Sequence, residues 1–112
     1  MKKCIAIPLE NDILCPHFGH CQKFALVDVE NNKTGNYREL VPPEHQPGLY
    51  PKWIVEYGVT DVIAGGIGQK AINLFNDFHI NVFAGAPIKG PRELVEDFLE
   101  DRLELNANYC DH

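Results

Sequence analysis

The sequence predicts an α/β domain: a single-domain, mixed five-stranded sheet with helices on both faces. Three observations lead there. The second half alternates short β-branched runs with stretches of helical period, which calls for parallel strands joined by right-handed crossovers. The first half carries two apolar runs separated by Asn31-Asn32-Lys33-Thr34-Gly35, turn chemistry that adds an antiparallel hairpin. The chain has 112 residues, 45% hydrophobic and 23% charged, enough for one hydrophobic core and typical of a globular domain.

Each element follows from local pattern. Cys4 to Pro8 alternates small and β-branched residues and reads as a first strand buried on both faces. A polar stretch follows, then the dense segment Cys15-Pro16-His17-Phe18-Gly19-His20-Cys21. Phe24 to Glu30 is the second strand, and Asn36 to Val41 returns as an edge-like third strand with polar alternation. Pro42 to Gly48 is a proline-stiffened loop. A helix from Tyr50 to Tyr57 has Pro51 in its first turn and Gly58 just past its end. Val59 to Ala64 is a strand, and Gly65-Gly66-Ile67-Gly68 turns the chain into a helix from Gln69 to Phe78. Ala71, Ile72, Phe75 and Phe78 are expected on its buried face. Ile80 to Ala84 is the last strand. Gly90-Pro91 opens a final helix whose Leu94, Val95, Phe98 and Leu99 form the apolar stripe. The tail from Leu103 ends in Cys110-Asp111-His112.

Composition narrows function. A formal net charge of −6 disfavours nucleic acid and anionic membrane surfaces as partners. The N-terminal apolar stretch is cut short by Pro8, Glu10, Asn11 and Asp12, too early for a signal peptide, and no run nears the ~20 apolar residues of a membrane span. A cytoplasmic location is expected, with the four cysteines reduced.

The chemistry concentrates in the Cys15–Cys21 segment, where four of seven residues can ligate a soft or borderline metal. If Phe18 to Cys21 forms a helical turn, His17, His20 and Cys21 fall at i, i+3 and i+4 on one face, with Cys15 approaching from the side. Taken singly, these residues read as a small buried cysteine and two surface histidines. Cys110 and His112 form a second donor pair, since residues two apart in an extended segment point the same way. Four-coordinate sites are commonly assembled from two such pairs. His45, held among Pro42, Pro43 and Pro47, is a further candidate, or simply an exposed loop histidine. Cys4 and His79 read as structural.

Gly66-x-Gly68-x-x-Ala71 formally fits the dinucleotide fingerprint, but no acidic residue closes the next strand. What survives is a glycine turn (Gly65, Gly66, Gly68) at a helix N-terminus, whose backbone N–H groups suit an anion such as a metal–sulfur cluster, or which serves only as a tight turn. The chain contains no serine, hence no serine nucleophile, and Asp28 and Asp61 give no basis for pairing as general acid and base. Turnover of a substrate is not expected.

The short first strand, His17-Phe18-Gly19, Phe24 leading a strand, Asp61 to Gly68, and Val82-Phe83-Ala84-Gly85-Ala86 together resemble the dinitrogenase iron–molybdenum cofactor biosynthesis domain over nearly the whole chain. That family includes the NifX and NafY accessory proteins and the C-terminal part of NifB. The resemblance implies a ribonuclease-H-like fold and a role in binding, storing or delivering a metal–sulfur cluster, iron–sulfur or molybdenum-containing, with zinc or copper as the simpler alternatives. It gives His17 the leading site role. His20-Cys21, the Pro-Pro-x-His loop and the Cys-Asp-His terminus depart from the nitrogenase-associated members. They are similar to small stand-alone proteins found alongside Mrp-type iron–sulfur ATPases. That similarity implies such an ATPase, or another assembly protein, as partner. A homodimer could bring the tail ligands to a second subunit. The alternative is a regulatory module that docks on the ATPase and uses a structural zinc to pin its tail.

Overall fold

The computed structural model describes residues 2–43 and 49–105, with the side chains of His20 and Leu49 outside that description. The strands are β1 (Lys2–Glu10), β2 (Ile13–Leu14), β3 (Lys23–Glu30), β4 (Lys33–Leu40), β5 (Asp61–Ile63) and β6 (Asn81–Phe83). The helices are α1 (Leu49–Ile54), α2 (Gln69–Asp77) and α3 (Pro91–Leu99), and α1 runs on into a 3-10 turn over Val55–Tyr57. Gly58 ends that turn with φ 79°, the left-handed conformation glycine adopts without steric cost.

The sheet is mixed, in the order β4-β3-β1-β5-β6. β3 runs antiparallel to β1 along nearly its whole length, and β5 and β6 are parallel to it. The sheet has six strands rather than five, because β2 folds back on the end of β1 with Leu9 opposite Leu14. The turn that makes it, Asn11-Asp12, has φ of 55° and 67°, and Asn31-Asn32 repeats the device between β3 and β4 with 53° and 63°. Asn and Asp tolerate positive φ, and two such residues make the tight turn whose twist matches a hairpin. β4 therefore begins at Lys33, three residues earlier than the pattern suggested, since only Asn31 and Asn32 are spent on the turn.

Period-two alternation along β1 divides the core in two. Cys4 and Ala6 join Phe24, Leu26, Val62, Tyr50, Ile54 and Phe75 on one face, which α1 and α2 cover. Ile5, Ile7 and Leu9 join Ala25, Val27, Ile63, Leu94 and Val95 on the other, which α3 covers. Phe24, Phe75 and Tyr50 pack edge-to-face around Phe18, with ring centroids 5.6 to 6.0 Å away.

One further detail differs from sequence expectation. Phe78 is 40% exposed: α2 ends at Asp77, Phe78 caps it in a non-helical conformation, and His79 at φ 63° then turns the chain toward β6. Asp61, at the start of β5, is the buried charged residue among those described, 1% exposed. The Thr60 hydroxyl donates to it at 2.7 Å and the Asn81 amide at 3.1 Å, so it ties β5 to β6 rather than serving a site.

Replacing Phe24 by Ala should cost about 3–5 kcal/mol of stability in urea unfolding, whereas Phe78→Ala should stay within about 0.5 kcal/mol. A comparable loss at both positions would contradict the core assignment.

Candidate functional site

Because β1, β5 and β6 are parallel, their carboxyl ends share one edge of the sheet. α2 leaves β5 for one face and α3 leaves β6 for the other. Where adjacent strands send the chain in opposite directions, a crevice opens beyond the strand ends, the usual place for a ligand in such sheets.

The loop after β1 is stitched into this edge by backbone. Cys15 N–H donates to Pro8 O and Gln22 N–H to Leu9 O, both at 2.8 Å. Between them, Gly66 N–H donates to Pro16 O and Phe18 N–H to Gly66 O, again at 2.8 Å, so His17 and Gly66 pair as a one-residue parallel bridge. Gly85 N–H and Ala86 N–H donate to the carbonyls of Gly65 and Ala64 at 3.0 Å, joining the loop after β6 to the same assembly.

Only glycine permits this. A Cβ on Gly66 would lie 2.7 Å from Pro16 O and 3.5 Å from His17 Nδ1, and one on Gly65 would lie 3.0 Å from Cys15 O. The glycine turn and the histidine thus belong to one site. Gly68 then enters α2 in an extended conformation with no side-chain cap, which leaves the first turn's N–H groups facing the edge.

The helical spacing that would gather His17, His20 and Cys21 does not form. The turn is a 3-10 turn limited to Phe18–His20, and its flanks, His17 (φ −133°) and Cys21 (φ −75°), are extended. His17 is exposed, whereas Cys21 is 8% exposed and part of the core. Burial, and secondarily the charge of a Cys15 thiolate, push the Cys21 thiol from 9.0 up to about 12. Cys15 is 1% exposed, its pKa also raised by burial, and its thiol donates to the His17 carbonyl at 3.0 Å. Among the described residues no three His, Cys, Asp or Glu side chains gather as a metal site. His45, Cys110, His112 and the side chain of His20 lie outside the described residues, and so does the expected meeting of the two donor pairs.

The sequence reading counted the loop after β6 in the family resemblance but gave it no place in the site. Its signal was present: Ile63-Ala64-Gly65 is echoed by Phe83-Ala84-Gly85, and Gly85 takes φ 80° where it bonds Gly65.

The sequence matches the model of the family described as dinitrogenase iron-molybdenum cofactor over residues 1–101. The chain belongs to that family. An uncharacterised protein of Methanocaldococcus jannaschii is 34% identical over 106 residues, covering 89% of this chain and 88% of the relative. The crystal structure of PH0822 superposes with a TM-score of 0.88 at 28% identity, covering 95% of this chain and 96% of that one. The apo form of the orange protein from Desulfovibrio gigas shares the fold, with a TM-score of 0.76 at 20% identity over 94% and 93% of the two chains. The family match thus takes in the whole edge from Cys15 to Ala86. No helix among the described residues is long and apolar enough to cross a membrane.

Gly66→Ala should destabilise the protein by about 1–3 kcal/mol, because the new methyl meets backbone rather than a flexible side chain. Gly58→Ala strains only a left-handed turn with open space around it. Its smaller loss in the same unfolding assay is the control. The raised Cys21 pKa also fixes a sign. The folded state holds this thiol's proton while the unfolded chain releases it, so Cys21's contribution is complete below about pH 9 and is lost as pH rises toward about 12. Denaturant unfolding between pH 8 and 11 should show a shallower loss of stability in Cys21→Ser than in the wild type. Equal slopes would count against the assignment.

Proposed function

We propose that the protein binds, stores or delivers an anionic metal–sulfur cluster during metallocofactor assembly, without turning over a substrate. The cargo is held at the edge formed by His17, Gly65, Gly66 and Gly68. The observation that carries this reading is the backbone pairing of His17 with Gly66. It sets an exposed imidazole beside a glycine turn and the uncapped start of a helix. An imidazole is a metal ligand in its neutral form. Helix N–H groups and a bare glycine backbone attract an anion without asking for a cationic side chain. An anionic sulfide-bridged cluster presents both features, a metal for nitrogen and sulfide for N–H groups. Membership of a family named for the iron–molybdenum cofactor supports the same class of cargo.

In this reading Cys21 is not a surface ligand, because its thiol is protonated and turned into the core at neutral pH. Among the described residues the bound cargo rests on one imidazole and backbone donors, a set weak enough to release it to an acceptor. An iron–sulfur ATPase of the Mrp type, or another assembly protein, is the partner that the sequence resemblance suggests.

Tetrathiomolybdate, an anionic molybdenum–sulfur species, is a direct probe. Anaerobic titration should show saturable binding at one per chain by visible absorbance. His17→Ala should weaken it by about 10–100-fold with an unchanged unfolding curve. Binding of equal strength in wild type and His17→Ala would remove the basis of the proposal.

A further inference from the structure

With one imidazole in the cargo edge, affinity depends on how firmly His17 is aimed. Peptide groups are planar, so fixing the two planes that flank a residue fixes the direction in which its side chain leaves the backbone. Gly66 holds part of this frame. Its N–H donates to Pro16 O, in the plane before His17, and its carbonyl accepts from Phe18 N–H, in the plane after it, both at 2.8 Å. The second plane is also held at its other end, where the Cys15 thiol donates to His17 O at 3.0 Å. A plane held at its N–H alone can tilt. Held at both ends, it tilts only by breaking a bond.

Cys15 is a fixed post for this contact. Its own N–H donates to Pro8 O of β1 at 2.8 Å, so it stands on the central strand of the sheet. Its side chain is 1% exposed and packs in the core cluster that contains Phe18, Phe24 and Phe75. Cysteine suits such a place, since it packs as a small hydrophobe and still carries an S–H donor at neutral pH.

We propose that Cys15 is a positioning residue of the cargo edge: its buried thiol, anchored on β1, pins the His17 carbonyl and so holds the imidazole in the direction the cargo needs. This rests on the cargo reading for what the imidazole does, and on the hydrogen bonds alone for how it is held. Cys15 itself makes no bond to the cargo. Its sulfur lies in the core, whereas His17 is exposed on the outer side of the loop.

Three variants of the full-length protein separate positioning from ligation. Groups that orient a metal-binding imidazole cost about 10–100-fold in affinity when removed. Anaerobic titration with tetrathiomolybdate should show a loss of that size in Cys15→Ala. Cys15→Ser, whose hydroxyl still donates, should bind as the wild type does. Cys15→Val fills the space without a donor and should match Cys15→Ala, and it carries the test if the alanine variant does not fold. In a His17→Ala background, Cys15→Ala should change affinity by less than about 2-fold, because its effect passes through the imidazole.

A second readout needs no cargo. Amide hydrogen exchange at Phe18 in the metal-free protein, measured against the amides of β1, should be about 10-fold faster in Cys15→Ala than in the wild type or Cys15→Ser. Equal tetrathiomolybdate affinity in the wild type and Cys15→Ala, equal losses in the alanine and serine variants, an additive loss in the double variant, or unchanged exchange at Phe18 would each overturn the role. Absence of binding to the wild type would remove the cargo reading instead, and the exchange rates would still decide whether Cys15 holds His17.

Discussion

The architecture of the functional edge depends on one close approach between two stretches of backbone. Pro16 to Phe18 lies against Gly65 and Gly66 so tightly that a single Cβ on Gly66 would come within 2.7 Å of a carbonyl oxygen. Two hydrogen bonds of 2.8 Å hold the contact. Such bonds contribute modestly one at a time, but here they pair the backbone of buried Phe18 and half-buried Gly66, where an unpaired group would be costly. From this contact follow the exposure of His17, the inward turn of Phe18 and the burial of the two flanking cysteines.

The contact links the halves of the domain. The first half builds the antiparallel hairpins β1–β2 and β3–β4, and the second half supplies the parallel strands β5 and β6. β1 pairs with both β3 and β5 and is the central strand of the sheet. The loop after β1 then repeats the link at the carboxyl edge, by bonding to the loop after β5. The Phe18 ring anchors it from below, against residues of β3, α1 and α2. The opposite sheet edge is built differently. β4 is largely exposed, and a bulge sets Gly35 and Asn36 against the single Asp28. That irregularity blunts an edge that could otherwise pair with another chain.

The segment from Cys15 to Cys21 therefore has two chemical sides. Its outer side offers an imidazole, bare glycine backbone and an uncapped helix start, a polar setting open to solvent. Its inner side offers two thiols among aromatic rings, a setting that disfavours charge. One short sequence motif supplies both because extended backbone on either flank of the 3-10 turn sends successive donors in different directions.

Much of this was legible in the sequence. Strand and helix order, the caps at Gly58 and Gly90, the two-faced burial of β1 and the glycine turn after β5 all follow from periodicity and turn chemistry, which are local properties of the chain. The family, too, was legible from motifs spread along the chain. What the sequence could not settle were the partners of those local features. The pairing of β2 with β1, the exposure of Phe78 and the separation of His17 from Cys21 depend on where the backbone turns, and a helical reading of residues 17–21 fails by a few dihedral angles. That His17 stands beside Gly66 depends on contact between residues 49 positions apart, which no local pattern encodes. Tertiary packing decided it, because only the assembled parallel strands bring their carboxyl-end loops within hydrogen-bonding distance.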